Sequence, residues 1–203
     1  MKKLIFLFFL IFLAACSNDD SSSIDTLPPE TQIGANTFGC LIDGKLYKPR
    51  CEKPSVVFPD WAMLLEGSYS SIPYSNQIII KDLKSDNYFE FIIHLHEVKL
   101  FGVGNYQFGD SNGYSSIDGL NNNYINCILF DKNINEYKQF VSFVNSGSIT
   151  ISNYIVGTEN TGTIISGTFS GQLRNINDYN DIIQITNGRF DVNGLTSFYK
   201  EFP

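Results

Sequence analysis

Two histidines, His94 and His96, stand one residue apart in Phe89-Glu-Phe-Ile-Ile-His-Leu-His96. On a strand, residues i and i+2 share a face, so both imidazoles would point the same way. Such a pair can hold a metal if a third ligand joins it. Glu90 shares the face but sits too far along the strand, and Glu97 points to the other side. The opposite stripe, Phe89, Phe91, Ile93 and Leu95, reads as the core face. The simpler expectation is therefore two solvent-facing histidines and no cofactor, with a metal-dependent hydrolase using His94 and His96 as the minor alternative.

The four cysteines divide into one and three. Cys16 ends a segment with Lys2 and Lys3, the apolar run Leu4 to Leu13, and two alanines. Charge, short apolar run and small residues make a secretory signal, and the run is too short to span a bilayer as a helix. Leu13-Ala14-Ala15-Cys16 resembles the lipobox of bacterial lipoproteins, which implies cleavage before Cys16 and lipidation of its thiol. Ser17-Asn18-Asp19-Asp20 resembles the surface-export signal of lipoproteins from the Bacteroidota. It points to the outer membrane, with the cell-surface face favoured. Cys40, Cys51 and Cys127 would then occupy a compartment that permits disulfides. Cys51 falls in a loop, where a free thiol would be a liability. Cys40–Cys51 is the expected bond, Cys40–Cys127 the runner-up, and Cys127 the expected buried thiol.

Two further stretches could bind something. Trp61, with Tyr69 and Tyr74 after it, lies among prolines. Exposed rings of this kind stack on the apolar faces of sugars, whereas buried ones merely fill a core. Asp110-Ser-Asn-Gly-Tyr-Ser-Ser-Ile-Asp-Gly119 is rich in oxygen donors but lacks the closing Glu of a calcium loop, so a polar surface loop is the expectation. No phosphate-binding glycine loop, nucleophile elbow or zinc-ligand cysteine cluster occurs.

The elements that must position these residues are strands. Residues 1–15 are the expected cleaved signal. Residues 16–35 hold the lipidated Cys16 and a Ser- and Pro-containing stretch with few large apolar side chains, read as a flexible tether. Residues 36–203 read as a single all-β domain. Asp43-Gly44 between two short alternating runs predicts a tight hairpin. Further strands are predicted at 62–69, 77–83, 88–96, 124–130, 139–144, 148–155, 163–173 and 181–192, with no helical stripe. The apolar parity flips between Ile183-Gln-Ile185 and Phe190-Asp-Val192, which predicts a bulge at Asn187-Gly188. The pattern implies an antiparallel β-sandwich or partly open β-barrel of about 8–10 strands.

The formal net charge is −7, and −9 once Lys2 and Lys3 leave with the signal. An acidic surface repels phosphate backbones, so nucleic acid is not an expected partner. Gly147-Ser-Ile-Thr-Ile151, Ile165-Ser-Gly-Thr-Phe-Ser-Gly171, Ile185-Thr-Asn-Gly-Arg-Phe-Asp191 and the opening Asn36-Thr-Phe-Gly-Cys-Leu-Ile-Asp-Gly44 together resemble an uncharacterised lipoprotein family of the Bacteroidota. The resemblance implies an all-β domain and brings no catalytic residues with it. The expectation is a non-catalytic module, lipid-anchored in the outer membrane, that binds a glycan, a peptide or another envelope protein. The alternative is a structural accessory subunit of an outer-membrane complex.

Overall fold

The computed structural model describes residues 26–51, 61–67, 75–84 and 88–202. Among these residues eleven strands follow one another: β1 (Thr37–Ile42), β2 (Lys45–Tyr47), β3 (Met63–Gly67), β4 (Asn76–Asp82), β5 (Phe89–Leu95), β6 (Gly104–Gln107), β7 (Tyr124–Asp131), β8 (Glu136–Val141), β9 (Gly147–Ile155), β10 (Ile164–Asn175) and β11 (Ile182–Asn193). One short helix, α1 (Val98–Phe101), precedes β6. The main sheet runs β2-β1-β11-β10-β8-β7-β5-β4-β3, every neighbour antiparallel. It curls into a half-barrel. It forks at β10, whose first part pairs with β9 and whose end pairs with β8; β6 lies beyond β9.

The predicted hairpin forms: Asp43 (φ 49°) and Gly44 (φ 79°) both take the left-handed conformation a type I′ turn needs. The predicted bulge is also present. Phe169 faces Gly188 but Gly171 faces Ile185, so β11 carries one extra residue there, and β1 sees the same shift. Asn187 absorbs it with φ 53°. The expectation of 8–10 strands falls short by β6, which is too short and polar to show a period. It forms because Tyr106 buries opposite Ile149 and donates its hydroxyl to the Gly102 carbonyl at 2.6 Å.

The concave face holds the core. Phe38, Phe91 and Phe169, from β1, β5 and β10, meet with ring centroids 5.4–5.7 Å apart, and Phe190 adjoins Phe169 at 6.2 Å. Gly188 makes room for this cluster. A Cβ there would stand 2.6 Å from three atoms of the Phe169 ring. Gly188→Ala should therefore destabilise the domain by about 1–3 kcal/mol, the usual cost of overpacking. An unchanged urea midpoint would mean that Phe169 can swing aside without loss.

The open side of the curl is stitched by Arg50, which donates twice to Asp82 Oδ2, at 3.0 and 2.6 Å. Asp82 is buried. The next residue, Cys51, bonds through its backbone N–H to the Phe202 carbonyl at 2.9 Å.

The flexible-tether reading of residues 16–35 needs correction at its C-terminal end. Residues 26–35 lie on the domain, and Asp191 of β11 holds them. Its carboxylate accepts from the Thr31 hydroxyl (2.6 Å) and from the N–H groups of Ile33, Gly34 and Ala35 (2.8–3.0 Å). Ser166 adds a fifth bond at 2.7 Å. Composition marked this stretch as unable to build a core; it is ordered instead by a buried carboxylate 156–160 residues away. Residues 1–25, including Cys16, lie outside the described residues.

Candidate functional site

His94 and His96 do share a face, but His94 does not face solvent. It is fully buried. The segment 108–123 lies across the convex side of β4, β5, β7 and β8 and covers it. The sheet grips that segment through side chains. Gln77 Nε2 donates to the Ser115 carbonyl (2.7 Å), Asn126 Nδ2 to Tyr114 (2.8 Å), Gln139 Nε2 to Gly113 (2.8 Å) and Ser142 Oγ to Gly109 (3.0 Å). Asn126 also accepts from the Ser111 hydroxyl. The sequence Asp110–Gly119 is thus a lid rather than a free surface loop. Four of its carbonyls, those of Asp110, Gly113, Tyr114 and Ser115, already accept from side-chain amides, so they serve to pin the segment down.

Under this lid, Gln77, His94 and Tyr124 form one row across β4, β5 and β7. The His94 and Tyr124 rings stack in parallel, centroids 4.4 Å apart. Gln77 Oε1 stands 3.4 Å from His94 Nδ1. Burial first, and then the nearby His96, lower the His94 pKa to about 4, so the ring stays neutral at ordinary pH. His96 is less enclosed, with its Nε2 3.8 Å from the Glu97 carboxylate. No group of three or more His, Cys, Asp and Glu side chains among the described residues is placed to share a metal.

The expected Cys40–Cys51 disulfide is absent: Cys40, Cys51 and Cys127 are free and buried. The premise that Cys51 sits in an exposed loop fails: the residue is buried, and its backbone pairs with Phe202. Burial pushes the Cys40 and Cys127 thiols well up, so neither is a ready nucleophile.

Trp61 is half-buried, with the Lys81 ammonium 4.3 Å from its ring centroid. Tyr69 and Tyr74, its expected companions, lie outside the described residues. Other rings join Trp61 instead. Lys81 Nζ is 3.4 Å from Glu90 Oε2, which accepts from the Tyr88 hydroxyl at 3.1 Å. Tyr88 packs edge-on against Tyr137 at 5.6 Å, and Phe130 meets Tyr137 at 5.1 Å. Burial and the neighbouring Glu90 raise the Tyr88 pKa to about 12, so its hydroxyl keeps its proton. The result is a strip running Trp61, Lys81, Glu90, Tyr88, Tyr137, Phe130 along the convex face. Its signal in the sequence was the β7–β8 hairpin, where Phe130 and Tyr137 stand opposite each other.

A hollow of about 470 Å³ lies over β9, β10 and β11 and is lined by residues including Glu30, Ser148, Thr150, Thr168, Thr186 and Arg189. It offers hydrogen bonds, but the one ring on its lining, Phe169, is buried. No family model, curated protein or solved structure matches this chain. The half-barrel and its two decorated faces define an all-β protein, and nothing more specific comes from resemblance.

Proposed function

We propose that this protein is a lipid-anchored, non-catalytic binding module of the outer membrane and that its ligand is a glycan. The carrying observation is the convex strip in which the rings of Trp61, Tyr88, Phe130 and Tyr137 flank the Lys81–Glu90 pair. Sugar rings present apolar C–H faces between hydroxyls. A strip that alternates ring faces with a cation and a carboxylate matches both halves of that chemistry. Tyr137 is 63% exposed, so it offers an open face within the strip.

The anchor fits this use. Nine residues lie between Cys16 and Thr26, where the described chain begins, so ten backbone steps join the two. At about 3.5 Å per extended residue they reach at most about 35 Å, which keeps the domain close to the lipid surface. Calorimetric titration with a panel of soluble oligosaccharides tests the reading. One glycan class should bind, and Tyr137→Ala should weaken it about 5-fold, corresponding to about 1 kcal/mol for one aromatic contact. Binding that ignores both Tyr137→Ala and Trp61→Ala would put the ligand elsewhere, with the hydroxyl-lined hollow as the next place to look.

A second reading has one specific observation behind it. Leu100, Phe101 and Val103, at and just after α1, are each 57–68% exposed, beside the short strand β6. An apolar knuckle next to a strand edge suits docking to another envelope protein. Silence across the glycan panel would shift weight to that surface.

A further inference from the structure

We propose that the outward face of β10 and its two neighbours is a separate carbohydrate site, which takes a linear, uncharged glycan laid along the strand. β10 sets the line. Ile165, Phe169 and Leu173 point into the core, and Thr168, Ser170, Gln172 and Arg174 alternate with them on the other face. Six steps of about 3.4 Å make a row of about 20 Å, the length of a short oligosaccharide.

Both flanking strands widen the row. Ser148 and Thr150 of β9 stand opposite Ser170 and Thr168, and Arg189 of β11 stands opposite Thr168 on the other side. The bulge in β11 brings Thr186 and Asn187 to the same place, and together these residues line the hollow of about 470 Å³. That volume is within the range of small-ligand sites, about 300–1,000 Å³.

The chemistry of the lining selects the ligand. Hydroxyls and side-chain amides both donate and accept, as sugar hydroxyls do. Among the described residues, the side chains of Thr168, Ser170, Gln172 and Thr186 make no hydrogen bond to protein, so a ligand engages them without breaking an internal bond. The row carries no large exposed apolar side chain to hold a lipid tail. Its two arginines are offset by carboxylates at the rim: Arg189 Nη1 lies 3.7 Å from Glu30 and Arg174 Nη2 lies 3.6 Å from Asp110. The face is thus nearly neutral in a protein of net charge −7, which suits an uncharged chain better than a polyanion.

The end of the row supplies an apolar contact. The Arg174 guanidinium lies against the rings of Phe143 and Tyr179, with its central carbon 5.2 and 4.3 Å from their centroids. Tyr179 is 62% exposed and can receive the C–H face of a sugar while the hydroxyls of the chain meet the row. A cation on a ring recurs here, as with Lys81 and Trp61. The site borrows from the proposed function only the class of ligand, and it does not need the Trp61–Tyr137 strip.

Titration of the full chain with cellohexaose, xylohexaose, maltohexaose and laminarihexaose, followed by amide NMR, tests the proposal. At least one should shift amides in 168–174 and 186–189. Tyr179→Ala and Thr168→Val should each weaken that binding about 5-fold, the worth of one aromatic contact or one hydrogen bond. Tyr137→Ala should leave it unchanged. Shifts confined to the Trp61–Tyr137 strip would overturn this site and leave the strip reading intact, whereas shifts confined to β10 and β11 would do the reverse. No shift with any of the four, binding indifferent to both β10-side substitutions, or tighter binding of hexagalacturonate would each overturn it.

Discussion

Asp191→Ala should lower the unfolding free energy at pH 7 by about 3–5 kcal/mol, the range for breaking a buried network around a charge. The carboxylate is fully buried and accepts five hydrogen bonds from Thr31, Ile33, Gly34, Ala35 and Ser166. Alanine would leave three backbone N–H groups and two hydroxyls without that acceptor. Asp191→Asn should also destabilise, because one end of the amide would present N–H groups to donors. Urea unfolding with far-UV circular dichroism measures the change. A loss below about 0.5 kcal/mol, the scatter of ordinary surface substitutions, would show that residues 26–35 ride on the domain without supporting it.

The same carboxylate sets an acid limit. Burial alone would raise its pKa, but the bonds from Ala35, Thr31, Ser166 and Gly34 outweigh burial and hold it below the usual carboxylate value. A group depressed in the folded state stabilises above its unfolded pKa. That stability is lost as pH falls through the folded value, below about pH 4.

The second large effect lies at milder pH. Stability should fall by about 2 kcal/mol between pH 8 and pH 5 from His94 alone. The unfolded chain takes up a proton near pH 6.5, whereas folded His94 resists until about 4. Between those values the unfolded state binds more protons, so stability is complete above pH 6.5 and drains as pH falls toward 4. The groups around the ring are Gln77, Tyr124 and His96, and none offers the new positive charge an anionic partner. His94→Gln should flatten the pH 5–8 slope and leave the acid limit of Asp191 in place. A slope that survives the substitution would assign the proton uptake to another group.

Much of the fold was legible because strand alternation is local. Period two marked nearly every strand. Asp43-Gly44 announced its turn because few residue pairs accept positive φ twice, and the parity flip at Asn187-Gly188 announced the extra residue of β11. What alternation cannot say is whether the face turned away from the core stays in water. The residues of β5 that face away from the aromatic core were read as solvent-facing, yet His94 is buried, because a polar segment some twenty residues later folds back over them. The grip comes from Gln77, Asn126, Gln139 and Ser142, spread over β4, β7, β8 and the residue after it. Each looks like an ordinary outward polar residue until pairing brings the four together.

The cysteines and Asp191 teach the same point. Cys51 was expected in an exposed loop but is buried with its backbone paired to Phe202, and an acidic residue near the end of the chain holds residues 31–35. Composition, hairpin chemistry and strand period determined by themselves that this chain is an antiparallel β protein and where its turns and bulge fall, because those depend on residues adjacent in sequence. Which faces are covered, which histidine stays neutral, which thiols are sealed and which rings line up with Trp61 was decided only by tertiary structure, since each depends on strands and loops brought together from distant parts of the chain.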